Sequence, residues 1–485
     1  MVFSMAWWMM AAPAFAAEPP PGFSSCRLAG VEPGAWCSSL QRPLDPAQPD
    51  GKKIDIHFAV LPALARNKKP DPVFFFAGGP GQSAMDIAGS ISRLLARFGN
   101  RRDVVLIDQR GTGRSAPLKC AEERAAWPLR EQFDLARQRD ALRTCLARLK
   151  ALPYGDLRQF TTTIAMQDAD AVRLRLGAAR INLVGGSYGT RAALEYLRQF
   201  PQAVRRVVID GVAPPDMVLP RSFSTDVQAA FDALLAACEA DAACRARYPQ
   251  LRDQWHTLLG SLPREVSVLH PVTQREERFS LTRDMLTALV RPPLYAPVLS
   301  SALPLAISEA AQGRFTPLFG LAAALSAGGS AGLAQGMHFS VVCAEDWPLM
   351  AAATDRPGTD FSDSFADVYR TACAEWPRGA VPVDFYRIPT AAAATLVLSG
   401  AIDPVTPPRH GERVAKALGA RARHVVVPNT GHGVMAIACL RDAVYRFVDA
   451  ESDDEALQVD ASCARAVPRP GVFLPVAPAT SGVPG

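Results

Sequence analysis

Two uninterrupted apolar runs, Val73-Phe74-Phe75-Phe76 and Val104-Val105-Leu106-Ile107, stand out along the first half of the chain. A strand with no polar face must be covered on both sides, so such runs, separated by helical stretches, predict a parallel sheet between helical layers. Lys53-Ile54-Asp55-Ile56-His57-Phe58-Ala59-Val60 alternates polar and apolar positions instead, as a half-buried strand does. Met85, Ile87, Ile91, Leu94, Leu95 and Phe98 recur at helical spacing and predict a helix over Ser83–Phe98. Residues 121–150 are charged and rich in Ala and Leu, which reads as one or two surface helices. Thr161-Thr162-Thr163 offers an N-cap to a helix over Ile164–Leu176. Ile181–Val184 then predicts a buried strand, the stretch after it a helix stopped by Pro201, and Val204–Ile209 a further strand.

From residue 213 to 390 this alternation is lost. Phe223–Cys238, Leu281–Leu289 and Val298–Ala311 read as helices, and the small-residue stretch Leu321–Gly336 as a mobile helix. Strand patterns resume at Thr395-Leu396-Val397-Leu398 and His424-Val425-Val426-Val427, and Val434–Phe447 reads as a last helix. The expected organisation is an α/β core in two parts, 51–212 and 391–465, interrupted by a mainly helical cap at 213–390. An extended N-terminal segment (17–50) precedes it and a Pro-rich tail (466–485) follows.

At 485 residues, 49% hydrophobic and 20% charged, the chain has ample core material, and its length fits one large domain with an insertion or two domains. The net charge of +5 is dispersed, without a Lys/Arg block, so nucleic acid has no support as a partner. Met5–Ala12 is apolar and leads to Ala14-Phe15-Ala16, an A-x-A cleavage pattern, so Met1–Ala16 reads as a signal peptide although the usual basic start is missing. The run is too short to span a bilayer. Ten cysteines fall into close sequential couples: Cys26/Cys37, Cys120/Cys145, Cys238/Cys244, Cys343/Cys373 and Cys439/Cys463. In an exported chain, periplasmic or secreted, an even count implies disulfides, with the connectivity left open. The absence of C-x-x-C and of His–Cys clustering argues against a zinc site.

The chemistry gathers on loops that follow strands. Gly185-Gly186-Ser187-Tyr188-Gly189 is a G-x-S-x-G between a predicted strand and a predicted helix, the sharp turn that presents a serine nucleophile. A serine hydroxyl needs a base, and the base needs an acid to fix its tautomer. Asp403, in Asp403-Pro404-Val405-Thr406-Pro407, and His432, in Gly431-His432-Gly433, each follow a strand. They complete the chain order Ser, Asp, His of the α/β-hydrolase fold. His410 and His424 compete for the base but sit after an Arg/Pro run and at a strand start. The oxyanion hole draws one N–H from Tyr188 and a second from Ala77-Gly78-Gly79-Pro80-Gly81. There Gly79 is the choice, since Pro80 has no N–H. Asp108–Ala116 offers a superficial G-x-G-x-x-A, but Pro117 and the lack of a helical pattern make it scaffolding rather than a dinucleotide site.

Taken in order, Gly78–Gly81, Asp108–Ser115, Gly185–Gly189, Asp403–Pro407 and Gly431–Gly433 resemble the peptidase family S33, and most of all its exported tripeptidyl aminopeptidases, related to prolyl iminopeptidases. The resemblance implies an α/β-hydrolase core with a helical cap, and a serine exopeptidase that releases short N-terminal segments from peptides without a cofactor. Prolyl iminopeptidases usually carry His before Gly-Gly-Pro-Gly; Ala77 stands here, which points away from strict proline specificity. An exopeptidase must hold the substrate's free α-ammonium, and Glu345 or Asp346, in the insertion beside Cys343, is the expected carboxylate. A carboxylesterase of the same fold is the alternative, because the same machinery serves esters.

Overall fold

The computed structural model describes residues 18–474 apart from 33, 121–125, 328–331 and 391–392; the predicted leader Met1–Ala16 lies outside the described residues. Eleven strands are present among them: β1 (Ser24–Cys26), β2 (Ala35–Pro43), β3 (Lys53–Leu61), β4 (Val73–Phe76), β5 (Val104–Ile107), β6 (Ile181–Gly186), β7 (Val204–Asp210), β8 (Arg264–Leu269), β9 (Glu276–Leu281), β10 (Ala394–Gly400) and β11 (Ala422–Val427). Nine of them form one sheet in the order β1-β2-β3-β5-β4-β6-β7-β10-β11. From β5 to β11 every neighbouring pair is parallel, while β1, β2 and β3 join antiparallel at one edge.

The apolar runs do what their lack of a polar face requires. Phe74, Phe76, Val105, Ile107, Leu183 and Val397 point to one side of the sheet and join one buried core. Val73, Phe75, Val104, Leu106, Val184, Leu396 and Leu398 point to the other and join a second. Helices supply both covers, with α1 (Ala88–Leu94), α3 (Leu135–Lys150), α4 (Thr162–Arg175) and α5 (Tyr188–Gln199) before the insertion, whereas α2 (Leu129–Gln132) packs with the insertion, Leu129 N donating to Glu277 at 2.7 Å. Thr161 caps α4 by accepting from Ile164 N, as the threonine run predicts.

Between β7 and β10 the chain leaves the sheet through α6 (Arg221–Ala240), α7 (Ala242–Arg247), α8 (Leu251–Gly260), α9 (Arg283–Leu294), α10 (Pro297–Ser300), α11 (Leu303–Ala311), α12 (Thr316–Ala327), α13 (Gln335–Glu345) and α14 (Ser364–Glu375). These helices bury a core of their own around Phe231, Trp255, Phe279 and Phe361. An antiparallel hairpin, β8–β9, sits among them and was not anticipated by the helical reading of this stretch. The sheet resumes with β10 and β11, followed by α15 (Pro408–Leu418, between them), α16 (Ala438–Asp449) and α17 (Asp453–Leu457). The C-terminal segment then crosses outward without regular structure: Val467 O accepts from Asn429 Nδ2 on the sheet side, and Phe473 N donates to Ser301 O beside α10.

Two predicted helices start later than their periodicity. The one predicted from Ser83 begins at Ala88, because Asp108 holds Ser83 Oγ at 2.6 Å and Met85 N at 3.2 Å in a loop. The one predicted from Val434 begins at Ala438, because Val434 N and Met435 N are spent on Asp210, each at 2.8 Å from Oδ2. All five cysteine couples are bonded within the couple, including Cys26–Cys37 across β1 and β2 and Cys343–Cys373 between α13 and α14. No helix among the described residues is long and apolar enough to cross a membrane.

Candidate active site

The loops leaving β4, β6, β7, β10 and β11 emerge at one edge of the sheet, because parallel strands in register end together. A cleft of about 780 Å³ opens there, between that edge and the helices of the insertion. Ser187, Tyr188, Gly79 and His432 line it, and Asp403 lies buried directly behind His432.

Ser187 occupies the turn between β6 and α5 with φ +56° and ψ −126°, a conformation L-residues rarely hold without support. Support comes from Asp210, whose carbonyl accepts Ser187 N at 2.9 Å, and from the flanking glycines. A Cβ on Gly185 would stand 2.3 Å from Gly189 O, and one on Gly189 would stand 2.0 Å from Phe76 O. The backbones of β4, β6 and α5 therefore cross where only glycine fits. Gly78 packs behind the serine and has its own N–H near Gln82 Oε1 at 3.3 Å, while Gly79 takes φ +111° at the cleft wall. The adjoining Asp108–Ser115 loop is a scaffold: Arg110 is buried against Asp168 and the carbonyls of Leu44 and Gln159.

His432 Nδ1 and Asp403 Oδ2 are 2.8 Å apart. Asp403 is fixed by Val405 N and Thr406 N on Oδ1, at 2.8 and 2.9 Å, and by the Thr406 hydroxyl on Oδ2 at 2.7 Å. Thr406 Oγ1 also stands 3.1 Å from His432 Nδ1, so the threonine bridges acid and imidazole. Burial alone pushes the Asp403 carboxyl up, but the charge and hydrogen bond of His432 win and hold it below the usual carboxylate range. Burial likewise works against the His432 imidazolium, yet Asp403 outweighs it and raises its pKa above the ordinary 6.5. The imidazole is clasped from the insertion as well: His432 N donates to Tyr295 O at 2.9 Å, and the Tyr295 ring stands edge-on to it at 5.3 Å.

The competing histidines have other duties. His410 pairs with Asp226 at 3.0 Å, and His424 with Ser399 Oγ at 3.0 Å. Glu345 and Asp346 are not brought onto the cleft wall; each is 1% exposed. Asp346 takes both terminal nitrogens of Arg191 at 3.0 Å and Leu219 N at 3.0 Å. Glu345 takes Thr162 N at 2.7 Å and its hydroxyl at 2.9 Å, and that hydroxyl meets Tyr188 OH at 2.6 Å. Arg191, not the carboxylates, lines the cleft. Burial pushes the Glu345 carboxyl up to about 7 in spite of Arg191.

Thr406, Asp210, Tyr295, His338 and Arg291 also belong to the site. Thr406 alone left a signal in the sequence, a hydroxyl three residues after an Asx-type acid. Asp210, the last residue of β7, pins the His432 loop through Val434 N and Met435 N, and burial pushes its carboxyl up to about 6. His338 joins the cleft wall, with Nδ1 3.2 Å from Pro80 O and Nε2 3.0 Å from Tyr369 OH.

The family model for the alpha/beta hydrolase fold matches residues 71–252, and that for TAP-like protein matches residues 359–463. The chain is 26% identical over 436 residues to the serine protease Hip1 of Mycobacterium tuberculosis, covering 83% of this chain and 82% of that one. It is 30% identical over 197 residues to the tripeptidyl aminopeptidase of Streptomyces lividans, covering 37% of this chain and 35% of that one. Among solved structures, proline iminopeptidase from Mycobacterium smegmatis aligns at 17% identity, over 87% of this chain and all of its own, with a TM-score of 0.37. The fold and the family match define an α/β-hydrolase, a hydrolytic enzyme with a mostly parallel sheet between helical layers. Within that class the chain is similar to the serine protease Hip1 and to tripeptidyl aminopeptidases, and its residues 359–463 match the TAP-like model.

Proposed function

We propose that this hydrolase is a serine exopeptidase, releasing short tripeptidyl or aminoacyl segments from peptides with free N-termini through an acyl-enzyme. The observation that carries the reading is the 2.8 Å His432–Asp403 pair at the wall of a cleft that also exposes Ser187. Ser187 attacks the scissile carbonyl while His432 takes its proton. Asp403 holds the imidazole's Nδ1–H and balances the imidazolium, and the N–H groups of Gly79 and Tyr188 receive the oxyanion. His432 then protonates the leaving amine, and water, deprotonated by the same imidazole, releases the acyl group. Reading 213–390 as a cap is supported by Tyr295, which reaches from the end of α9 to His432 and lines the cleft.

For the substrate ammonium the candidates remain Glu345 and Asp346, acting through their field and not by contact, since both are buried beneath the wall. They face the Arg191 guanidinium at 3.6 and 3.0 Å, so a negative excess develops there only as Glu345, pushed up to about 7, ionises. Export to the periplasm or beyond is in keeping with five disulfides and no free cysteine among the described residues.

The test is a panel of fluorogenic aminoacyl, dipeptidyl and tripeptidyl amides, each with free and blocked N-termini, on wild type, Glu345→Gln and Asp346→Asn. The reading expects turnover of free tripeptidyl or aminoacyl amides and a narrowed free-over-blocked preference in the variants. Equal rates on free and blocked members in wild type would overturn it. The carboxylesterase reading is favoured by one observation, the largely apolar wall formed by Phe75, Ile87, Ile91, Leu94, Met217 and Leu219. Turnover of short acyl esters with none of the free-amine amides would select it.

A further inference from the structure

Besides Tyr295, the insertion meets the cleft through α13, and what α13 meets is the loop after β4. Ala334, its N-cap residue, donates its N–H to Gly81 O at 2.9 Å, and His338, one turn into the helix, has Nδ1 3.2 Å from Pro80 O. The approach is close: a Cβ on Gly81 would stand 2.8 Å from Ala334 O. The insertion therefore holds both carbonyls that follow Gly79. A carbonyl only accepts, so Nδ1 carries the proton and Nε2 is left to accept from Tyr369 OH at 3.0 Å. Desolvation pushes the His338 pKa down to about 4, which keeps the ring in this neutral form at neutral pH. With both nitrogens occupied, His338 is an anchor and not a rival base to His432.

The anchor has a firm seat. Gly336 N donates to Leu118 O at 2.8 Å, and Glu345, the last residue of α13, takes Thr162 N at 2.7 Å, so the core holds the helix at both ends. Tyr369, on α14, is fixed by its ring contact with Phe339 at 5.7 Å and by the Cys343–Cys373 bond between the two helices. The loop itself is free by comparison. Gly79 has φ +111° and no Cβ, so the direction of its N–H depends on what anchors the residues after it.

We propose that His338 is a positioning residue for the oxyanion hole: backed by Tyr369, it fixes Gly79–Gly81 from the insertion and so aims the Gly79 N–H at the scissile carbonyl. This rests on the hydrolytic reading, in which Ser187 attacks and Gly79 is one of the two donors. It makes the hole a joint product of core and insertion, so that the seating of α13 governs turnover while the Ser187, His432 and Asp403 geometry stays as it is. A donor aimed at developing charge acts on the transition state and not on the bound substrate, which gives the role a kinetic signature.

The experiment compares wild type, His338→Leu, His338→Asn and Tyr369→Phe on p-nitrophenyl butyrate and on the fastest amide of the panel, with an aliphatic trifluoromethyl ketone as inhibitor. The ketone carbon takes the Ser187 oxygen and its own oxygen becomes an oxyanion, so its affinity reports the hole, whereas KM reports ground-state binding. His338→Leu keeps the bulk and loses both hydrogen bonds. It should lower kcat about 10- to 100-fold, less than deleting an oxyanion donor outright, with KM within about 3-fold. Ketone inhibition should weaken by the same factor as kcat/KM. His338→Asn, whose carboxamide still donates towards Pro80 O, should recover part of the loss, and Tyr369→Phe should cost about 3- to 10-fold in kcat. Wild-type kcat in a folded His338→Leu, or a fall in kcat with ketone inhibition unchanged, overturns the proposal. If His338→Leu does not fold, the two milder variants decide, and wild-type kcat in both overturns it. Fluorophosphonate labelling keeps the two readings apart. A Ser187 adduct in wild type with undisturbed kinetics in the variants rejects the positioning role and leaves the hydrolytic reading standing; no adduct in wild type rejects both.

Discussion

Ser187, Asp403 and His432 were legible as candidates because each sits on a loop directly after an apolar run, flanked by glycine or proline. Tyr295 and Arg291 were not, because what singles them out is contact between segments far apart in the chain, such as Tyr295 O on His432 N. The electrostatics of these residues make two predictions. The proposed base, His432, would act only when neutral, and Asp403 raises its pKa above 6.5. The acid limb of kcat/KM should therefore fall above pH 6.5, and Asp403→Asn should move it downward while lowering kcat about 10⁴-fold. Glu345 titrates near 7 when folded, against 4.5 as a free group, so the folded state holds the proton more tightly. The stability associated with that proton is present below about pH 4.5, declines as pH rises, and is lost above about pH 7, by an amount on the order of 3 kcal/mol. Glu345→Gln should flatten this decline in urea titrations across pH 4–8; an unchanged slope would mean that another group carries it.

At the scale of elements, strand positions followed from apolar runs, whereas helix starts were displaced wherever a carboxylate claimed the backbone first. Asp108 delays α1 and Asp210 delays α16, and both keep a functional loop from becoming helix. The hairpin β8–β9 was missed although Val266, Val268, Phe279 and Leu281 bury one face at a period of two, because charged neighbours and the absence of a strong turn dipeptide masked it. The clasp between α9 and the His432 loop depends on Gly431, where a Cβ would stand 2.3 Å from Tyr295 O. Gly431→Ala should lower stability by about 1–3 kcal/mol and depress kcat together with it, as read by thermal unfolding and steady-state kinetics. Wild-type kcat in a stable variant would show that the clasp does not position the imidazole.

For the molecule as a whole, the insertion explains why Asp403 lies so far from Ser187 in sequence: β7 and β10 are neighbours in the sheet, with the excursion between them. The close cysteine couples proved to be the bonded ones, each stapling a local excursion, so spacing foreshadowed a connectivity that spacing alone does not fix. The Cys343–Cys373 bond closes a separation of 30 residues and ties α13, which carries His338 and Glu345, to α14. Replacing both cysteines with serine should cost about 3 kcal/mol and lower the midpoint of thermal unfolding. An unchanged midpoint would contradict a structural role for the bond.

Hydrolysis by the proposed route requires Ser187. The most direct measurement is intact-protein and peptide mass spectrometry after a fluorophosphonate probe, with turnover followed in parallel. One adduct is expected, located on Ser187 and abolished in Ser187→Ala, together with a loss of kcat of at least about 10⁴-fold, on the order seen when a triad member is removed. An adduct on another residue, or normal turnover by Ser187→Ala, would contradict the proposed route.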